Sequence, residues 1–197
     1  TKGDHNKTMK NRSETLYLLG ISGSLRKGSS NTTLLRAAQQ LTPKGVEIIL
    51  YPDLATLPHF NPDVEESILP PEVSKLRQHV KKADGLIFST PEYAHGVPGS
   101  LKNMLDWLVG GSEFLDKPVM LLNASSRSSY AQASLIETVK TMAGYFVPEA
   151  SPTLDLMGKR LDEAEIIANA DMSGLLQTAI NLFAQFIRQH QSDVVGV

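Results

Sequence analysis

The stretch from Leu16 to Asn31, LYLLGISGSLRKGSSN, constrains the chain most. A short apolar run breaks into a loop of Gly, Ser, Arg and Lys, and the loop ends at Ser30-Asn31 directly before residues with helical spacing. Strand, loop and helix N-terminus follow one another. The first N–H groups of a helix lack intrahelical acceptors and sit at the positive end of its dipole, so such a junction favours an anion, phosphate in particular.

The residues downstream repeat the alternation. Leu34, Leu35, Ala38 and Leu41 form a helical stripe stopped by Thr42-Pro43-Lys44-Gly45, and Val46 to Leu50 follows as a β-branched strand. Tyr51 to Pro71 reads as a long proline-rich loop. Pro70-Pro71 then opens a helix carrying Val73, Leu76 and Val80 on one face, and Leu86 to Thr90 is a third strand. Ser100 begins a helix that ends at Gly110-Gly111, Pro118 to Leu122 is a fourth strand, and Ala131 to Met142 is a further helix. Phe146-Val147 and Thr153-Leu154 read as parts of an irregular fifth strand, and Met172 to Ile187 as the apolar stripe of a long last helix.

Alternating strands and helices predict an α/β fold with helices on both faces of a parallel sheet. Five strands favour the flavodoxin-like three-layer α/β/α sandwich with order 2-1-3-4-5, whose ligand crevice lies at the carboxyl ends of strands one and three. Residues 1–14 are polar and aperiodic and are expected to be a flexible tail, with 15–190 as a single domain and 191–197 as a C-terminal tail.

A net charge of -2 argues against a nucleic-acid partner, and the lack of cysteine excludes disulfides, thiolate catalysis and cysteine-based metal sites. No metal site is expected. No apolar run is long enough to span a bilayer and no signal-peptide core opens the chain, so the expectation is a soluble, cytoplasmic protein without a membrane partner.

Spacing narrows the first loop. Gly23 and Gly28 are separated as in a P-loop, but Ser29 stands where the phosphate-binding Lys is needed. Gly20, Gly23 and Gly28 do not make the dinucleotide fingerprint, and Ser24 replaces the glycine that a nucleophile elbow would need after Ser22. Ser24, Ser29, Ser30 and Asn31, with a guanidinium from Arg26, remain as donors suited to one phosphate monoester. The alternative is that the Ser and Asn residues only cap the helix, for which Ser30 or Asn31 is well suited.

The loop from Pro91 to Gly99 is shaped by two prolines and two glycines and offers a flat ligand its backbone and Tyr93. His95 reads as a bystander rather than a catalyst, since no carboxylate at helical spacing orients it for general-base work, and Glu92 as a backbone or interface bond. A third loop, Asn123 to Ser129, places Ser126 and Arg127 where they serve either a ligand edge or a solvated turn.

Gly23-Ser24-Leu25-Arg26-Lys27-Gly28-Ser29-Ser30-Asn31, then Thr90-Pro91-Glu92-Tyr93, then Val97-Pro98-Gly99-Ser100-Leu101-Lys102-Asn103-Met104-Leu105-Asp106-Trp107, closely resembles the NAD(P)H-dependent FMN reductase family of quinone, azo-compound and chromate reductases. The resemblance implies a non-covalently held FMN, NAD(P)H as co-substrate, and a dimer or tetramer with the flavin near a subunit interface. By matching position it implies that Ser24, Arg26, Ser29 and Asn31 hold the FMN phosphate. Pro91, Glu92, Tyr93, Ala94, His95 and Gly96 would line the isoalloxazine ring, with Ser126 and Arg127 carried over from the third loop. Two departures stand out: similar proteins often have Asn-x-Ser where this chain has Ala94-His95-Gly96, and a glycine-rich third loop where this one has serines.

The implied reaction is ping-pong transfer of hydride from NAD(P)H through flavin N5 to a small acceptor such as a quinone, azo compound, free flavin or oxidised metal ion, with no catalytic side chain. A flavodoxin-type electron carrier without NAD(P)H turnover is the alternative, although such carriers are typically strongly acidic. A reductase using FMN as a diffusible substrate is a third reading.

Overall fold

A computed structural model describes residues 15–195, and the expected tail 1–14 lies outside the described residues. The sheet is built from β1 (Leu16–Ser22), β2 (Val46–Leu50), β3 (Gly85–Ser89), β4 (Pro118–Leu121) and β5 (Tyr145–Phe146). All neighbours are parallel and the order is β2-β1-β3-β4-β5, the flavodoxin-like arrangement.

Each strand sends alternate side chains to opposite faces, and the helices cover both. Leu16 and Leu18 of β1 join one core with α1 (Ser30–Gln40) and the last helix, while Leu19 and Ile21 join the other. That second core is roofed by α3 (Pro71–Lys82), α4 (Gly99–Val109) and α5 (Ser129–Thr141). The burial on both faces explains why the strands read as continuous apolar runs.

The long proline-rich connection is more structured than expected. It holds a 3₁₀ turn at Leu54–Thr56 and a short helix, α2 (Pro62–Ser67), whose N-cap Asn61 accepts the Asp63 N–H at 3.0 Å. Its anchor is α4: Trp107 Nε1 and Asn103 Nδ2 both donate to the Pro58 carbonyl, at 2.8 and 2.9 Å, and Phe60 meets Trp107 edge-on at 5.0 Å. Arg77 on α3 pairs with Glu65 and donates to the Trp107 carbonyl at 2.8 Å, tying α2, α3 and α4 together.

The fifth strand is interrupted, as expected. After Phe146 a 3₁₀ turn begins at Pro148, which has no N–H to give a ladder, and the chain resumes pairing where Thr153 bridges Asn123 and Leu154 N–H reaches the Asn123 carbonyl at 2.8 Å. Two helices differ from expectation. α6 (Glu163–Ala168) was not foreseen, and α7 (Ala170–Val195) runs through 191–195, which were expected to be tail. Nothing in that stretch breaks a helix, and Gln191 Nε2 holds its end to Asp84 Oδ1, at the head of β3, at 2.9 Å. Among the described residues no helix is long and apolar enough to cross a membrane.

Tyr51, just past β2, has its ring edge-on to His79 of α3 at 5.7 Å, and its buried hydroxyl lacks a hydrogen-bond partner. Burial, helped by the Asp53 charge, pushes its ionisation from the ordinary value near 10 up to about 12. The unfolded chain therefore ionises first, so the stability this group contributes is intact below pH 10 and is lost as the pH climbs to 12. Tyr51→Phe should remove that part of the alkaline stability loss and leave the protein at least as stable at neutral pH, because an unpartnered buried hydroxyl is costly. Urea midpoints measured across the alkaline range check this; identical pH slopes for both proteins would contradict it.

Candidate functional site

At the carboxyl ends of the strands the loops enclose an open cleft of about 1010 Å³. That is the upper end of the roughly 300–1,000 Å³ usual for small-molecule sites, which leaves room for more than one ligand. Four segments line it: the loops after β1, β3 and β4, and the stretch 156–162.

The first loop is held by its own hydroxyls. Ser22 Oγ shares a 2.8 Å hydrogen bond with Thr32 Oγ1 and accepts the Ser24 N–H at 3.3 Å, while Ser24 Oγ accepts the Arg26 N–H at 3.3 Å. Gly23 must be glycine, since a Cβ there would stand 2.2 Å from Thr90 Oγ1. Ser29 occupies the N-cap of α1 with extended backbone, yet its hydroxyl makes no capping bond although the residue is only 5% exposed. The N-cap is thus Ser29, while Ser30 and Asn31, the expected caps, stand inside the first turn, and the leading N–H groups of α1 receive no side-chain cap and stay open to a ligand. Asn31 Oδ1 accepts from the buried Ser89 hydroxyl at 3.0 Å, so its N–H groups are what it can offer. Ser24, Arg26, Ser29, Ser30 and Asn31 all line the cleft, and among the described residues Arg26 has no ion-pair partner.

The second loop divides. Pro91, Glu92 and Tyr93 line the cleft, whereas Ala94, His95 and Gly96 do not. They form the tip of a tight hairpin in which Tyr93 and Gly96 exchange N–H···O bonds of 3.1 and 3.0 Å. Ala94 and His95 have φ of 49° and 59°, the left-handed pair that a two-residue hairpin turn demands and that Asn-Gly supplies most easily. The tip is braced by His95 stacking on Tyr130 of α5 at 4.2 Å. Glu92 Oε2 accepts the Ala131 N–H at 2.9 Å, so its carboxylate caps the N-terminus of α5 while it lines the cleft.

In the third loop Ser125 and Ser128 line the cleft, and Ser126 and Arg127 do not. Ser126 Oγ donates instead to Asp155 Oδ2 at 2.7 Å, and this bond, with the Met157 N–H, holds the Asp155 carboxyl below its usual range. Sequence reasoning missed the fourth segment, which brings Lys159 and Arg160 to the cleft. Its signal was present as Asp162 and Glu165, whose side chains bond each other's backbone N–H in a capping box that starts α6.

A family model described as NADPH-dependent FMN reductase matches residues 16–156. The chain belongs to this family. It is 36% identical over 163 residues to an NAD(P)H-dependent FMN reductase of Pseudomonas aeruginosa, covering 77% of this chain and 88% of that protein. To the quinone reductase of Escherichia coli strain K12 it is 37% identical over 116 residues, 57% of this chain and 62% of that protein. Among solved structures, the flavoenzyme NAD(P)H:(acceptor) oxidoreductase FerB from Paracoccus denitrificans superimposes with a TM-score of 0.76 at 26% identity, covering 89% of this chain and 99% of that one. The protein is thus an enzyme of the NAD(P)H-dependent FMN or quinone reductase type.

The left-handed pair at the hairpin tip of this family member generates a test. Asn tolerates that region better than Ala, whose Cβ makes it cost roughly 1–2 kcal/mol. Ala94→Asn should stabilise the protein by about 0.5–1 kcal/mol, read as a higher urea midpoint. A lower midpoint would show that the tip is not left-handed in solution.

Proposed function

We propose that the cleft holds one FMN without covalent linkage and that the enzyme passes hydride from NAD(P)H to a small acceptor such as a quinone. The observation that carries this reading is the buried N-cap Ser29, which caps nothing at the head of a helix flanked by Arg26. Hydroxyls, one guanidinium and open helix N–H groups are the donor set that a phosphate monoester needs. They fit the phosphate of FMN, with Ser24, Arg26, Ser29, Ser30 and Asn31 as its holders.

Pro91, Glu92 and Tyr93 form the adjoining wall, against which a flat ring system would lie. The tip residues Ala94, His95 and Gly96 serve this wall by fixing its geometry, and Ser126 does so for the opposite side through Asp155. When bound, FMN would supply the hydride chemistry of a ping-pong transfer between NAD(P)H and the acceptor. The chain's own part is to bind and orient. Backbone N–H donors in the cleft would favour negative charge on the ring, and the open cleft would admit donor and acceptor in turn.

Self-association as a dimer or tetramer belongs to the same reading. Leu25, Tyr93 and Met157, on the loops that line the cleft, are each at least half exposed, which is apolar surface that a second copy would cover.

Purified protein should take up added FMN and oxidise NAD(P)H with a quinone acceptor. Failure to bind FMN would sink the proposal, and FMN binding without NAD(P)H turnover would favour an electron carrier. Arg26→Ala should weaken FMN binding by roughly 1.5–3 kcal/mol, the scale of a hydrogen bond to a charged group. Unchanged affinity in a flavin titration would remove Arg26 from the site.

A further inference from the structure

The first loop and the start of α1 already answer a single phosphate with Arg26, several hydroxyls and open N–H groups. Lys159 and Arg160 line the same cleft as additional cations, on a segment that follows directly on the family match ending at residue 156. Neither forms an ion pair among the described residues. The carboxylates near them take their hydrogen bonds from other groups: Asp155 accepts from Ser126 and from the Met157 N–H and feels the Lys159 charge without forming an ion pair, and Asp162 accepts the Glu165 N–H at 2.9 Å. Glu163 pairs with Arg36 of α1 at 3.2 Å.

The segment is built to hold its shape. Leu156 is buried in the core and its N–H reaches the Ala124 carbonyl at 3.0 Å. The turn closes with Lys159 N–H on the Leu156 carbonyl at 3.0 Å, helped by Gly158 at φ 74°. Beyond it the capping box of Asp162 and Glu165 and the buried Ile166 fix α6. Two cations are thus presented to the cleft on a turn clamped at both ends, so little backbone entropy is lost when they engage an anion.

We propose that Lys159 and Arg160 form a second phosphate subsite, separate from the first loop, that takes the 2′-phosphate of the nicotinamide dinucleotide and makes the enzyme prefer NADPH to NADH. The inference rests on the FMN reductase reading above. The 2′-phosphate is the phosphate monoester that distinguishes the two dinucleotides, and a guanidinium fork beside an ammonium suits a monoester dianion. FMN carries the same chemical group, so the test must separate the two sources.

The experiment titrates FMN-loaded protein calorimetrically with 2′,5′-ADP and with 5′-AMP, comparing wild type with the Lys159→Ala/Arg160→Ala double variant. Wild type should bind 2′,5′-ADP about 10- to 100-fold more tightly than 5′-AMP, and the double variant should lose that preference while keeping its FMN affinity within about twofold. Its kcat/KM for NADPH should fall by a similar factor, with NADH little affected, and Arg160→Lys alone should retain an intermediate preference. An undiminished preference in the double variant overturns the proposal. Loss of FMN affinity instead overturns it by assigning the pair to the flavin phosphate. If wild-type protein does not bind FMN at all, the underlying reading fails; if flavin-loaded wild type treats the two nucleotides alike, this inference alone fails.

Discussion

The site depends on how closely the ends of β1 and β3 approach each other. Ser22 and Ser89 are register partners, the Gly23 N–H continues the ladder to the Ser89 carbonyl at 2.8 Å, and no Cβ fits between Gly23 and Thr90. The buried bond between Ser89 and Asn31 then ties the end of β3 to the first turn of α1. A helix N-terminus and the start of the second loop are thereby held side by side. An anion bound at one has its attached groups delivered to the other, and this juxtaposition arises only where the strand order reverses.

That juxtaposition has local costs. A helix whose N-cap side chain makes no cap bond forgoes about 1 kcal/mol, and two non-glycine residues in the left-handed region cost a comparable amount each. The uncapped Ser29 lies at the cleft and the hairpin tip beside it, whereas two further left-handed residues, Asp116 and Ala143, sit just before β4 and β5 and away from the cleft. The cost that bears on binding is the one at Ser29, because an N–H already bonded to its own N-cap side chain has less to give a ligand.

The architecture was legible because its signals are long-range and redundant: four apolar runs and an irregular fifth, with helical stripes between them and stop signals at most junctions. The shape of the irregular parts was less so. Pro58 to Pro62 looked like plain loop because its order comes from Trp107 and Asn103, more than forty residues away, and no local pattern records such a bond. Ala94 to Gly96 follow Tyr93 in sequence but turn back in a hairpin, so only the first half of that loop reaches the cleft. The segment 156–162 was overlooked because its cations lie far along the chain from the first loop, and only the packing of α6 against α1 brings them to the same cleft.

Several residues read as ligand holders turn out to be fasteners as well, for a reason rooted in their chemistry. Ser, Asn and Glu side chains that suit a phosphate or a ring edge are equally suited to backbone N–H groups and to one another. Asn31 fastens β3 to α1, Glu92 fastens the second loop to α5, and Ser126 fastens the third loop to Asp155. Each such bond removes a donor or acceptor from the ligand's reach, yet fixes the position of the neighbours that remain free. The groups left for a ligand are therefore the ones with no hydrogen-bond or ion-pair partner among the described residues: the Ser29 hydroxyl, the leading N–H groups of α1 and the cations Arg26, Lys159 and Arg160. Selectivity in such a cleft follows from which polar groups the fold has left unused, and here the unused groups favour phosphate.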